Sequence, residues 1–374
     1  MQNFKAGTNI NQGSYKSFQP NPIFKNWVIQ DMQLINLLTK ADRALGKLDM
    51  YSNYIPNIAI FIKMHIAKEA TQSSKIEGTQ TNVEEALMDL EDVEIEKRSD
   101  WEEVQNYILA MNKAMESLST LPFSSRLIKQ AHKILLQGVR GEHKMPGEFR
   151  TSQNWISGPT IATANFVPPI HSSIQELMAD IEKLVHEEDN ILPDLLKIAL
   201  IHYQFETIHP FLDGNGRIGR LMITLYLVDK GILKKPILYL SDFLEKNRTY
   251  YYDNLTRVRE KNDLLHWFKF FLTGVIETAN KSIDTFDKIM QLEKQVNIKL
   301  KSIGNRGVKA QLVMNYMYEK PIINAQAVQK IIGNRNATAY ALIEELVRLE
   351  IIKEVTGFQR NRMYIFEDYV NLFK

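Results

Sequence analysis

The chain has no cysteine, which excludes disulfides, thiol nucleophiles and cysteine-ligated zinc. It also lacks any apolar run approaching a membrane span, so no membrane partner is expected. The first twenty residues are rich in Asn, Gln, Gly and Ser and have no apolar core of the kind a signal peptide needs, which makes the cytoplasm the expected location. An excess of one charge sign is missing too. The 46 Lys and Arg residues face 44 Asp and Glu, a formal net charge of +2. That balance excludes a strongly basic nucleic-acid binder and an acidic tail. There is no internal repeat and no low-complexity segment. What remains is 374 residues, 44% hydrophobic and 24% charged, a globular composition with length for two or three domains.

The chemistry concentrates in His209-Pro210-Phe211-Leu212-Asp213-Gly214-Asn215-Gly216-Arg217-Ile218-Gly219-Arg220. Upstream, Asp194 to Glu206 reads as a helix, with Leu195, Ile198, Ala199, Ile201, Tyr203 and Phe205 as its apolar residues. Pro210 disfavours helix at His209, so this helix ends there. A second helix starts near Gly216, with Ile218, Leu221, Met222 and Leu225 on its apolar face and Lys230-Gly231 as its stop. Gly214, Asn215 and Gly216 therefore lie at a helix N-terminus, where free N–H groups and the helix dipole favour an anion. Arg217 and Arg220 lie on one side of the first turn and need an anion there, which a triphosphate would supply. Asp213 faces the same anion, and a carboxylate tolerates that across a divalent cation such as magnesium. His209, with a reference pKa near neutrality, is suited to accept a hydroxyl proton. Phe211 is expected to turn inward. Singly these are ordinary residues: a loop histidine, an Asp-Gly turn, a solvated arginine pair. Their joint occurrence at one helix start is far rarer.

The segment resembles the Fic family signature, His-x-Phe-x-Asp/Glu-Gly-Asn-Gly-Arg-x-x-Arg, at every defined position. The resemblance implies a mainly α fold, a Fic helical core with a small β-hairpin flap, and protein adenylyltransferase activity. His209 would deprotonate a Ser, Thr or Tyr hydroxyl of a target protein, which attacks the α-phosphate of ATP. Asp213 would hold magnesium. Gly214, Asn215, Gly216, Arg217, Ile218, Gly219 and Arg220 would bind ATP together with His209. His202, one helix turn and more before the motif, reads as a packed helical residue. The intact motif makes AMP the expected cargo, although a few relatives transfer UMP, phosphocholine or phosphate.

Three further stretches fit the same family. Ser73-Ser74-Lys75-Ile76-Glu77-Gly78 resembles the inhibitory motif of self-inhibited members, which makes Ser73 and Glu77 regulatory. Glu77 falls in the last turn of a helix from about Ile58, where a carboxylate works against the dipole and gains from an external cation; Arg220 is the expected partner. Glu77 would then contact the ATP site too, and removal of AMP by the same glutamate is a further activity the resemblance allows. The stretch from Gly147 to Pro169 is punctuated by Gly and Pro and resembles the flap, with Asn154, Trp155 and Ile156 as the strand that docks the target. Tyr251 and Tyr252 resemble the tyrosine pair that lines the adenine pocket.

The expected organisation is an extended arm through about residue 25 within an N-terminal helical region, 1–100, that carries the inhibitory motif. A catalytic core, 101–285, and a linker helix with a winged-helix-like domain, 286–374, follow. In the last, Val308 to Tyr318, Asn324 to Ile331 and Ala337 to Leu349 read as helices, and Ile351 to Thr356 and Arg362 to Phe366 as strands around Gly357-Phe358. Arg335, Asn336, Thr338, Arg360 and Arg362 would be its DNA contacts, and an interaction or dimerisation module ranks ahead of that reading. The expected partners are a target protein, the chain itself included, and a second copy in a homodimer. The alternative function is a nucleotide-sensing DNA-binding regulator.

Overall fold

The computed structural model describes residues 4–54, 58–187, 192–333, 336–357 and 362–374. A hairpin of β1 (Gly7–Asn11) and β2 (Lys16–Pro20) opens the chain. The helices α1 (Met32–Tyr54), α2 (Ile58–Ile76), α3 (Val83–Ala86), α4 (Arg98–Ser117), α5 (Ser125–Leu135) and α6 (Ile174–His186) follow. Next come α7 (Asp194–Ile208), α8 (Asn215–Asp229), α9 (Ser241–Lys246), α10 (Arg248–Lys261) and the long α11 (Leu264–Lys301). The C-terminal part holds α12 (Gly307–Glu319), β3 (Ile322–Asn324), α13 (Ala325–Ile332), α14 (Asn336–Arg348), β4 (Lys353–Glu354), β5 (Met363–Ile365) and α15 (Glu367–Asn371). No described helix is long and apolar enough to cross a membrane.

The centre is α7. Every residue from Leu195 to Ile208 is buried, as expected of a helix with no polar face. It packs against α6, α8, α11 and β2. Around this pair, α2 lies between α4, α8, α9 and α12. Ala70 and Ser73 are fully buried, and their small size lets α2 come close to α8. The amphipathic α5 buries Leu127, Ile128, Ala131, His132 and Leu135, and the Ser124 hydroxyl accepts from Leu127 N–H to cap it.

The N-terminal arm is not extended. Gly13, at φ 87°, turns the chain back so that β1 and β2 pair antiparallel. The hairpin is tied down: Phe18 N–H donates to Val167 O at 2.8 Å, Ala6 N–H donates to Asn262 Oδ1 at 2.7 Å, and Ile23 N–H donates to Asp180 Oδ2 at 2.6 Å. Polar residues fill β1 because its residues past Gly7 are exposed, which hid the strand from a hydrophobic pattern.

At the C-terminus three helices lead into an antiparallel sheet of order β3–β5–β4. Its strands are shorter than the sequence suggested, and β3, only 3 residues long and directly following Pro321, is too short to show alternation. Leu342 and Leu346 face inward. Thr338 is exposed, and Arg362 lies 3.8 Å from Glu354. Arg335, Phe358 and Arg360, and the side chain of Asn336, lie outside the described residues. This part is docked on the rest of the chain. Lys320 pairs with Asp89 and Lys374 with Glu84, each at 2.6 Å, and Phe373 stands edge-on to His65 of α2 at 5.1 Å.

Candidate active site

α7 ends at His209, whose φ of 50° and ψ of 61° are left-handed. That conformation costs a non-glycine residue roughly 1–3 kcal/mol, so its surroundings must hold it. Its N–H donates to Phe205 O at 2.9 Å, and its carbonyl accepts from Arg150 Nε at 3.0 Å. Arg150 is almost wholly buried. It also donates to Ser152 O at 3.0 Å and to Pro169 O at 2.6 Å, so one guanidinium joins the His209 turn to both ends of the flap. Burial lowers its pKa to about 10, which leaves it charged at neutral pH.

The His209 imidazole is half-buried, with Nδ1 enclosed. Burial lowers its pKa to about 4, although the Glu206 carbonyl and the Glu77 carboxylate both pull it up. The ring is therefore neutral at pH 7. Nδ1 is enclosed and without a hydrogen-bond partner, so Nε2 is the nitrogen open to take a proton.

The loop after it is braced from inside. Phe211 is buried and stacks on His132 at 3.7 Å. Asn215 does not face outward: its Oδ1 accepts from Phe211 N–H and its Nδ2 donates to Phe211 O, both at 2.9 Å. His132 Nδ1 accepts from Gly147 N–H at 2.8 Å, which makes Nε2 the protonated nitrogen and the donor to Asp213 O at 3.0 Å. Gly214, at φ 74°, turns the chain into α8. Ile218 N–H makes the first helical bond, to Gly214 O at 3.0 Å, so the N–H groups of Asn215, Gly216 and Arg217 stand at the open end of the helix.

Asp213 has a side chain 41% exposed, 3.6 Å from Arg217 Nη2, and one oxygen accepts from Gly214 N–H at 2.6 Å. Among the described residues no three His, Asp or Glu side chains gather to hold a metal by themselves. One exposed carboxylate fits magnesium that arrives with phosphate and water ligands, rather than a resident ion.

The two arginines do not share one anion. Arg217 turns away to Glu103 of α4, with Nη1 3.0 Å from Oε2, while the other Glu103 oxygen takes Arg140 at 3.0 Å. Arg220 turns to α2. Its Nε donates to Ser73 Oγ and its Nη2 to Ser73 O, each at 2.8 Å, and Nη2 reaches Glu77 Oε1 at 2.7 Å. Burial would raise the Glu77 pKa; the Arg220 guanidinium outweighs it and holds the carboxyl below its usual range. A Cβ on Gly216 would lie 2.2 Å from Glu77 Oε1. The space this glycine leaves at the start of α8 is thus filled by a carboxylate.

Ile218 and Gly219 face the interior. Ile218 is fully buried, and a Cβ on Gly219 would lie 2.3 Å from Glu206 Oε1. Burial pushes the Glu206 carboxyl up to about 7, with Arg220 opposing and Glu77 adding to the rise. Gly219→Ala is expected to cost about 1–3 kcal/mol through this overlap. It should appear as a lower urea midpoint with an unchanged slope; an unchanged midpoint would mean that Glu206 moves aside freely.

The tyrosine pair is split. Tyr251 is buried with its hydroxyl 2.8 Å from His202 Nε2, so it does not reach an open pocket. Tyr252, 40% exposed, lines a cleft of about 900 Å³ together with Glu77, Ile156, Arg248 and Arg259, and β1 and β2 form its opposite wall. The flap does not form strands. Ile156 pairs with Phe166 as a single bridge, because the Ser157-Gly158-Pro159 turn and the 3-10 turn Ile161–Thr163 take up the residues between. Asn154 points inward, its Nδ2 donating to Phe211 O at 2.9 Å. Trp155 is exposed and does not cover the core; its Nε1 donates to Gly158 O at 3.2 Å.

Arg150, His132, Glu103 and Glu206 carry no individual signal in the sequence. Arg150 stood inside the stretch read as flap, but nothing there pointed to its hold on His209.

Three buried histidines and the half-buried His209 make folding pH-dependent. Burial lowers His65 to about 3 and His132, His202 and His209 to about 4, from 6.5. The unfolded chain binds these protons first, so their contribution to stability is present above pH 6.5 and is lost as pH falls toward the folded values. Glu206 has the opposite sign: its raised pKa favours the fold below 4.5 and that gain is lost as pH rises through about 7. Burial raises the Glu69 carboxyl too, in the same sense as Glu206, and the four imidazoles outweigh these two carboxyls. The thermal midpoint should fall between pH 7 and pH 5; a flat profile would show that the imidazoles are charged in the fold.

Residues 35–116 match the Fic/DOC family N-terminal region and residues 122–227 match the Fic/DOC family. The chain is 26% identical over 223 residues to the protein adenylyltransferase Fic of Drosophila grimshawi, covering 58% of this chain and 42% of that one. It thus spans less than half of that relative's length. It is 22% identical over 299 residues to a probable protein adenylyltransferase of Aquifex aeolicus, covering 78% and 83%. A Fic family protein from Desulfovibrio desulfuricans shares the fold, with a TM-score of 0.58 at 19% identity over 91% of this chain and 98% of that one. A Fic domain containing signaling protein from Bacteroides thetaiotaomicron does so with a TM-score of 0.52 at 17% identity over 68% and 96%. The two family matches together span about half of the sequence, and with the complete His209–Arg220 motif they establish that the chain belongs to the Fic/DOC family.

Proposed function

We propose that the chain transfers AMP from ATP to a Ser, Thr or Tyr hydroxyl of a target protein, itself included, and that Glu77 restrains it. One observation carries this: a neutral imidazole precedes an open helix N-terminus in one loop, and the Glu77 carboxylate just after α2 sits against Gly216 and 2.7 Å from Arg220 at that terminus. His209 Nε2 takes the hydroxyl proton, the oxygen attacks the α-phosphorus, and the bond to the β-phosphate oxygen breaks to release pyrophosphate. Asn215, Gly216 and Arg217 N–H groups and Arg220 hold the phosphates as charge shifts to the leaving group. Asp213 would hold the magnesium that accompanies ATP, and the ion would supply neutralisation of phosphate charge. Tyr252 lines the base end of the cleft, and Ile156 with Trp155 meets the target backbone.

We read residues 1–100 as the regulatory region, 101–285 as the catalytic core and 286–374 as a linker helix with a winged-helix-like unit. Need for ATP suits a cytoplasmic location. Incubation with ATP and magnesium followed by intact-mass measurement tests the reaction. A gain of one AMP on the chain or on an added target, absent in His209→Ala, is expected. A gain matching another group, or none with any nucleotide in the Glu77→Gly protein, would sink the proposal.

A further inference from the structure

Behind α2 lies a second cavity, of about 120 Å³, between α2, α9, α11 and the C-terminal Phe373. It is electrostatically unusual. Three ammonium groups converge on one oxygen, Asp242 Oδ2: Lys281 at 2.6 Å, Lys246 at 3.1 Å and Lys68 at 3.7 Å. Lys68 is the least solvated of them, with a side chain 12% exposed. Two other carboxylates border the cavity. Glu69 is already engaged, by Ser241 N–H, the Ser241 hydroxyl and the Tyr107 hydroxyl, and Glu277 is exposed at the rim. Lys68 is the buried cation here, since the side chains of Lys246 and Lys281 are 58% and 43% exposed, and at 3.7 Å from Asp242 it stands beyond hydrogen-bond distance, so its desolvated charge is incompletely compensated.

Three more polar atoms line the same cavity with no hydrogen-bond partner: His65 Nε2, Gln72 Oε1 and the Tyr239 hydroxyl. His65 and Tyr239 are 8% and 6% exposed, so bulk water does not satisfy them. A tetrahedral oxyanion offers acceptors to the lysines and to the Tyr239 hydroxyl, and a protonated oxygen for Gln72. Size agrees, since an apolar cavity of about 150 Å³ takes up benzene and phosphate is smaller. We propose that this cavity binds a small oxyanion of the phosphate type, held by Lys68, Lys281 and Tyr239. Its wall is a face of α2 adjacent to the one that presents Ser73 and Glu77 to Arg220.

The test uses the full chain and its thermal midpoint, at equal ionic strength, in inorganic phosphate, in glycerol phosphate and in chloride. Saturating phosphate is expected to raise the midpoint by at least about 2 °C over chloride. Lys68→Met and Lys281→Met should abolish the rise, and Lys281 is exposed enough that its variant should fold if the first does not. Arg220→Ala should keep the rise, because that residue belongs to the other site. A rise with phosphate alone identifies the free ion as occupant; an equal rise with glycerol phosphate identifies a phosphate monoester headgroup. No rise, an equal rise in Lys281→Met, or a rise lost in Arg220→Ala would overturn the proposal. None of these readings needs AMP transfer, so they stand or fall apart from the proposed reaction.

Discussion

Replacement of Glu77 by glycine is expected to raise label incorporation from α-labelled ATP by about two orders of magnitude, the usual consequence of correcting a misplaced reacting group. The carboxylate lies 2.7 Å from Arg220 and fills the space beside Gly216, so it blocks the helix N-terminus in two ways. It occupies the volume, and it takes the positive charge that the terminal phosphate would use. Glu77→Gln separates them. The amide keeps the volume but gives up the charge, so an activity as high as that of the glycine variant would assign the restraint to charge. Activity at the parent level would assign it to volume. The two Ser73 bonds to Arg220 survive either change and should keep α2 in place, which circular dichroism can verify. Equal incorporation by Glu77→Gly and the parent would end the inhibition model.

His209→Ala is expected to lower AMP transfer about 10²–10⁴-fold, the typical worth of a positioned general base. The sharper test is the pH profile of kcat/KM in the Glu77→Gly background. A base must be unprotonated to work, and burial lowers the His209 pKa to about 4. The rate should therefore stay level from pH 8 to about 5 and fall only below that. Glu77 raises the imidazole pKa, so its removal moves the inflection further down. An inflection near 6.5 would show an imidazole that water reaches freely, and the basicity argument would have to be abandoned.

The motif was legible because adjacency in sequence is adjacency in space at a helix start: His209, Asp213, Gly214 and Gly216 lie where the break at Pro210 puts them. The pairing of Glu77 with Arg220 was legible only through the resemblance of residues 73–78 to an inhibitory motif read together with the downstream motif, since helix phase and dipole alone suit an ordinary surface glutamate. The direction of the Arg217 side chain was not legible. Sequence spacing puts it near Arg220, but its partner, Glu103, lies 114 positions away on α4. The burial of Tyr251 was hidden for the same reason, since its mate His202 is 49 positions distant. The flap was expected as strands because its residues suit strands, whereas the turn between Ile156 and Phe166 leaves room for one bridge. The hairpin at the N-terminus was missed because an exposed edge strand carries no alternation of apolar residues.

The close fit of α2 against α8, made by Ala70 and Ser73, has a consequence for genetics. If Glu77 is the brake, damage to this packing releases it, so a bulkier residue at position 70 should weaken the fold and awaken the enzyme in the same stroke.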